Sequence, residues 1–289
     1  MKLCLLCGQK FNAKSWECPS CGYVPKMEAG HYVFPSEIAT HDDGFDPGYF
    51  NELAAIEENN WWFRSRKKLI IWALHHYFPQ SKNFLEVGCG TGSVLSGIQE
   101  VFPDLSLSGG ELMTEGLAYA ARRLPYASFF QMDSRRIPFE EEFDVVGAFD
   151  MLEHIQDDQN VLFQIFKAIK RGGGVLLTVP QHPFLWSDWD KCAFHKRRYT
   201  RKGLIQKVVK SGFHVIGFTS FVSILLPLMF LDRLRKCKKR KGFDVFRGLK
   251  IGSSLNNSLL KIMSIEIFLI RIGVSLPIGG SLLLAARKV

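Results

Sequence analysis

With 289 residues, 47% of them hydrophobic and 24 of them phenylalanine, the chain has apolar mass for one large α/β domain with small additions. Its formal charge of +9 invites a nucleic acid or an acidic membrane as partner, but residues 233–241 hold seven of those cations, and removing them leaves only +2. The chain opens on cysteines rather than an apolar stretch, so no secretory leader is expected. Of its seven cysteines four are paired by spacing, which points to metal ligation in a reducing compartment rather than to disulfides.

Residues 1–25 carry Cys4-x-x-Cys7-Gly8 and, ten residues on, Cys18-x-x-Cys21-Gly22. Two such knuckles can bring four thiolates onto one tetrahedral ion, with zinc expected and iron as the alternative. So short a segment has little core of its own, so metal binding would supply its folding energy. Residues 26–46, with Gly30, Pro35 and Gly44 among mixed polar residues, suit a linker. Residues 47–80 read as two helices ahead of a sheet, with Trp61, Trp62 and Phe63 between them. Trp62 is a candidate for an acceptor pocket; the alternative is that these rings pack into the core.

Residues 83–92 organise the rest. A short apolar run (Phe84, Leu85, Val87) enters a turn with glycine at every second position, and apolar residues at helical spacing follow (Val94, Leu95, Ile98, Val101). Strand, tight turn and helix in that order make the ligand-cradling corner of a parallel α/β sheet. The spacing is G-x-G-x-G, with Ser93 where the dinucleotide fingerprint needs its last glycine, and Glu86 two residues before the turn suits a cation better than a phosphate. Glu86-Val87-Gly88-Cys89-Gly90-Thr91-Gly92 resembles the first motif of class I S-adenosylmethionine (SAM) dependent methyltransferases. The resemblance implies a Rossmann-like seven-stranded sheet with helices on both faces, residues 81–220 and 279–289 forming its core. It also implies that the glycine loop holds the methionine part of SAM, and that residues 47–80 cap the cofactor.

An acidic residue closes each of the next two apolar stretches. Glu111, with Leu112 beside it, falls where a carboxylate accepts from ribose hydroxyls, and Asp133, with Ser134, where the family sets an acid against the adenine amino group. A fourth strand ends at Asp150 and is followed by Met151-Leu152-Glu153-His154-Ile155. This run resembles the small-molecule branch of the family, including ubiquinone-biosynthesis O-methyltransferases. The strand lacks the Asn/Asp-Pro-Pro-Tyr motif of amino-methylating enzymes. Asp150 and His154 are the catalytic candidates: SAM is already activated, so the enzyme aligns the reactants and removes a proton from a hydroxyl acceptor. The alternatives are a backbone-held His154, or Asp150, Glu153 and His154 together on a divalent cation. A helix over 157–170 is expected to stop at Gly172-Gly173-Gly174, ahead of a fifth strand over 175–179.

Residues 180–199 form a long loop rich in His, Trp, Arg and Tyr, and loops over such sheets carry acceptor sites. His182, His195, Arg198 and Tyr199 are its substrate candidates. Strands over 213–219 and 281–287 would be near neighbours in the parent fold. Here residues 221–278 intervene, an apolar and basic helical insertion whose composition suits peripheral contact with a membrane surface. A self-packing helical hairpin or a dimer interface is the alternative.

The expectation is therefore a SAM-dependent methyltransferase with a structural zinc ribbon, cytoplasmic and peripheral on the inner face of a membrane, acting on a hydroxyl of a small or lipid-linked acceptor. Two rivals stand beside it. One is an RNA or protein methyltransferase using the ribbon and the basic run, which the aliphatic neighbours of that run disfavour. The other is a non-catalytic SAM-binding adaptor.

Overall fold

The computed structural model describes residues 1–35, 48–234 and 248–289, of which 232–234 by backbone alone. Two short strands, β1 (Lys2–Leu3) and β2 (Lys10–Phe11), pair antiparallel around the first cysteine knuckle, and the second lies in a turn after β2. In each knuckle a glycine amide donates back to the first cysteine, Gly8 N to Cys4 O and Gly22 N to Cys18 O, both at 2.9 Å. Strands β3 (Lys26–Glu28) and β4 (His31–Val33) follow, then helices α1 (Tyr49–Ile56) and α2 (Trp61–Tyr77). The Asn60 side chain caps α2 by accepting from Trp62 N at 2.9 Å.

The core alternates β5 (Asn83–Val87), α3 (Ser93–Val101), β6 (Ser106–Glu111), α4 (Thr114–Arg123), β7 (Ser128–Gln131), β8 (Phe143–Phe149), a 3-10 turn at Leu152–His154, α5 (Asp158–Ala168) and β9 (Ile169–Pro180). After β9 come a turn at Pro183–Leu185, the short α6 (Asp188–Cys192), α7 (Arg201–Lys210) and β10 (Phe213–Phe221). Helices α8 (Leu226–Leu234) and α9 (Ser253–Arg271) precede the last strand, β11 (Ser281–Lys288). Across the sheet the order is β10-β11-β9-β8-β5-β6-β7-β4-β3. The strands from β7 through β5 to β9 run parallel, and β11 enters antiparallel between β9 and β10. The chain order reverses at β5, so the carboxyl ends of β5, β6 and β8 open onto one crevice.

The sheet thus has the seven expected strands and two more. Residues 26–33, expected as linker, form a hairpin whose β4 pairs in parallel with β7 (Tyr32 with Phe130, Val33 with Gln131). Strands of three residues around Gly30 carry too little alternation to be legible, but here they cover an edge that would otherwise be open. The glycine run also behaves differently. The α5 helix ends at Ala168, and Gly172, Gly173 and Gly174 lie within β9. A Cβ on Gly174 would sit 2.4 Å from Ala286 O and from the Phe78 ring, so close packing across the sheet, rather than a helix stop, requires glycine there.

The ribbon is fused to the core. Trp16 is buried in an aromatic nest of Tyr32, Phe34, Phe130 and Phe139, with ring centroids 4.8–5.9 Å apart. Leu3 N donates to Pro138 O at 2.9 Å, and Arg136 donates to Leu5 O at 2.9 Å. Helix α9 packs on α2: Asn256 Oδ1 accepts from Trp61 N at 2.8 Å, and Leu259, Met263, Ile267 and Ile270 share a buried cluster with Leu69, Ile70, Ala73 and Leu74. One face of the insertion's second helix is thus docked on α2. The basic run 233–241 lies almost wholly outside the described residues.

Candidate functional site

The loop after β5 holds Gly88, Gly90 and Gly92 at positive φ (+74°, +50° and +74°). That left-handed backbone favours glycine, and at Gly88 a Cβ would also press on Met151 at 3.0 Å. Cys89 is buried against β6, so its part in the loop is its backbone. Thr91 Oγ1 donates to Glu57 Oε1 at 2.6 Å and accepts from Arg123 at 2.9 Å, tying the loop to α1 and α4. Phe50 of α1 lies over Gly90 and Gly116. The expected helical cap over this corner is thus in contact with the loop.

Carboxylates follow at the ends of β5, β6 and β7. Glu86 is 3% exposed; it accepts from the Leu95 backbone, while its Oε2 is buried without a partner. Burial raises its pKa to about 8 against the opposing pull of Arg66, with Glu111 and Glu57 adding to the rise. Glu111 Oε2 accepts from Gly90 N at 2.9 Å, and its Oε1 accepts from Leu112 N at 2.8 Å. Asp133 and Ser134 are both buried after β7, and Asp133 Oδ1 accepts from Arg135 N at 2.9 Å and Nε at 3.1 Å. The acids expected at successive strand ends thus lie along one edge, two of them bonded to their own loops. An orphaned carboxylate oxygen behind three left-handed glycines suits a positively charged group such as a sulfonium or ammonium, so the residues present fit SAM.

Asp150 stands at φ +53°, a strained conformation for a non-glycine residue. Its Oδ2 accepts from Arg66 at 2.5 Å and from Thr178 Oγ1 at 2.7 Å. Arg66, which the sequence reading missed, also covers the Trp62 ring at 4.6 Å, linking Trp62 to the Asp150 end of β8. The Trp62–Arg66 spacing of four on a helix was the available signal. These bonds commit Asp150 to a structural ion pair and correct its expectation as proton acceptor. His154 departs as well. Burial, followed by the nearby His195, lowers its pKa to about 3, far from the near-neutral titration that made it a candidate base.

Glu153, His154 and His195 instead come together, each with a ligand atom within 4.8 Å of the others'. The ring of His195 meets that of His154 edge-on, with centroids 4.9 Å apart. Its Nδ1 is 3.1 Å from Asp190 Oδ1. Asp190, also missed, closes a capping box with Ser187 at the start of α6, a spacing that was legible. The other loop candidates are occupied. Arg198 is buried, donating to Asp190 Oδ1 at 2.7 Å and Gln181 O at 3.1 Å. Tyr199 is buried in the core, where its hydroxyl donates to Asp158 Oδ2 at 2.7 Å. Both were expected to touch substrate; both brace the loop instead. His182, at φ +64°, lies tilted against the Phe184 ring and keeps Nε2 buried and unpartnered.

At the far edge of the sheet, the Cys4, Cys7, Cys18 and Cys21 sulfurs also lie within 4.8 Å of one another, and none is in a disulfide. Four convergent thiols on two glycine knuckles fit a tetrahedral soft ion.

The model of a family described as a methyltransferase domain matches residues 62–217, just over half of the chain. A ubiquinone biosynthesis O-methyltransferase of Hydrogenovibrio crunogenus is 29% identical over 154 residues, covering 45% of this chain and 57% of that protein. Phosphoethanolamine N-methyltransferase 2 of Caenorhabditis elegans is 30% identical over 108 residues, 35% of this chain and 24% of that one. The chain thus spans less than two thirds of these relatives. Among solved structures, Haemonchus contortus phosphoethanolamine N-methyltransferase 2 in complex with S-adenosyl-L-methionine superimposes with a TM-score of 0.57 at 20% identity, over 88% of this chain and 61% of that one. Glycine loop, strand order and family match agree, and the chain belongs to the class I SAM-dependent methyltransferases.

Proposed function

We propose that the protein transfers a methyl group from SAM to a hydroxyl on a small or lipid-linked acceptor at a membrane surface. The observation that carries the cofactor half is Glu86, a buried carboxylate with an unpartnered oxygen, two residues before the left-handed glycine loop. A sulfonium supplies the positive charge that this oxygen lacks. Glu111 would turn from the Gly90 amide to the ribose hydroxyls, and Asp133 and Ser134 would face the adenine.

On the acceptor side, in-line alignment is the main task, because the methyl donor needs no further activation. The Arg66–Asp150 pair fixes the end of β8, and the Glu153, His154 and His195 cluster lies one turn beyond it. We assign acceptor binding to that cluster and to the adjoining His182.

The membrane half rests on two exposed apolar rows, Ile224, Leu228 and Leu231 leading into α8 and along it, and Ile265, Phe268 and Ile272 along α9 and just past its end. Among the described residues no helix is long and apolar enough to cross a membrane, so contact would be peripheral. The adjacent basic run adds about 1 kcal/mol per cation near anionic lipid. The four knuckle cysteines would hold a structural zinc ion, whose chemistry here is to fold the ribbon.

Labelled SAM supplied to the protein in a host extract, partitioned into organic, RNA and protein fractions, tests this reading. Label in the organic phase is expected. Label confined to RNA or protein would overturn the acceptor assignment.

A further inference from the structure

We propose that the cysteine ribbon sets the adenine side of the cofactor site, with Arg136 as the positioning residue that links the two. The role rests on the methyltransferase reading above, in which Asp133 and Ser134 face the adenine. Those residues lie in the turn Asp133-Ser134-Arg135-Arg136, closed by Arg136 N donating to Asp133 O at 2.9 Å. The Arg136 side chain reaches the ribbon instead: its Nη2 donates to Leu5 O at 2.9 Å. Leu5 lies between Cys4 and Cys7, inside the first knuckle. One residue therefore closes the turn that carries Asp133 and grips the backbone between two thiols that would hold the metal.

The chain after the turn is held by the ribbon as well. Lys2 and Phe139 form an antiparallel bridge, flanked by Leu3 N donating to Pro138 O and Glu140 N donating to Met1 O, both at 2.9 Å. Lys10 Nζ pairs with Glu140 Oε1 at 2.8 Å. Beneath these bonds Ile137 and Phe139 are buried in one cluster with Cys4, Phe11, Trp16 and Cys18. The core grips the same segment at its two ends. Asn160 Nδ2 donates to Arg135 O at 3.2 Å, and Glu141 N donates to Lys167 O at 2.8 Å. Between those ends, Pro138 O and Glu140 N are bonded to the ribbon.

The coupling follows from where the ordering cost falls. A ribbon this small folds on its metal, so losing the ion frees the Leu5 carbonyl from its fixed place and releases the Pro138–Glu140 bonds. The turn then samples more conformations, and fixing Asp133 for the adenine becomes a cost of binding SAM. With the metal held, that ordering is already complete. Metal and SAM thus bind with positive cooperativity, and linkage requires each to strengthen the other equally.

The test measures SAM binding by calorimetry on the purified full-length protein, with zinc in the ribbon and after its removal by a chelator. Loss of zinc should weaken SAM binding by about fivefold to 150-fold. Saturating SAM should strengthen zinc by the same factor, read by competition with a chromophoric chelator. Arg136→Met separates positioning from folding. It should keep its zinc, bind SAM at least about fivefold more weakly, and lose most of the reciprocal effect of SAM on zinc. Should the chelated protein fail to stay folded, this variant decides alone. Equal SAM affinity in folded protein with and without zinc, or wild-type reciprocity in Arg136→Met, would overturn the coupling and leave SAM binding standing. No SAM binding by the zinc-loaded wild type would instead overturn the cofactor reading, and this role with it.

Discussion

The ribbon and the α8–α9 insertion are both additions to one sheet, yet they settle on it in opposite ways. The ribbon turns its apolar surface inward: Trp16, Phe11, Cys4 and Cys18 belong to the same buried cluster as Phe130 and Phe139 of the core. The insertion divides its apolar surface. Leu259, Met263, Ile267 and Ile270 of α9 face α2, while Ile265, Phe268 and Ile272 face outward. An addition whose exposed apolar residues are single, as Leu6 and Val24 are in the ribbon, is read as structure; one that leaves a row of large apolar residues exposed is read as a surface for something else.

If that contrast holds, damage to the two should differ in kind. The largest effect belongs to the ribbon thiolates. If the four thiolates hold zinc as proposed, Cys18→Ser or treatment with a chelator should unfold the segment, because structural zinc contributes about 10–16 kcal/mol to domains this small. Rapid proteolysis within residues 1–25 would report it. Trp16→Ala comes next, at about 3–5 kcal/mol from lost aromatic packing, read as a shift in the urea midpoint. At the other extreme, Ile265→Ser with Phe268→Ser should move that midpoint by no more than about 0.5 kcal/mol per residue. The same pair should markedly reduce flotation with vesicles containing anionic lipid. Equal flotation of the variant and the wild type would remove the membrane from the account.

Between these lies a pH effect. The Glu86 carboxyl, raised to about 8, binds its proton more tightly in the folded chain than in the unfolded one. Its contribution is therefore full below the unfolded value of about 4.3 and is lost as pH rises through 8. SAM reverses the preference, since a cation favours the carboxylate. Without ligand, the wild type should lose stability from pH 6 to pH 9 more steeply than Glu86→Gln does, as followed by the urea midpoint at each pH.

What the sequence disclosed follows the same divide between local and distant causes. The glycine loop, the acids at the ends of β5, β6 and β7, and the cysteine knuckles were legible because each is a short pattern whose chemistry is local. Arg198 and Tyr199 misled because a loop of charged and aromatic residues reads the same whether it faces the crevice or inward. Their partners, Asp190 and Asp158, settle which, and Asp158 lies 41 residues from Tyr199. Arg66 was illegible for that reason too, since Asp150 is 84 residues away. The hairpin at 26–33 was missed because its strands are too short for alternation to show.

The central claim is that the loop above Glu86 holds the sulfonium cofactor. Calorimetric titration of SAM into wild-type protein and Glu86→Gln, from pH 6 to pH 9, tests it most directly. Wild-type affinity should rise with pH toward about 8 as the carboxyl ionises, and the variant should bind more weakly with no such rise. No SAM binding by the folded wild type, or the same affinity and pH profile in both proteins, would contradict the account.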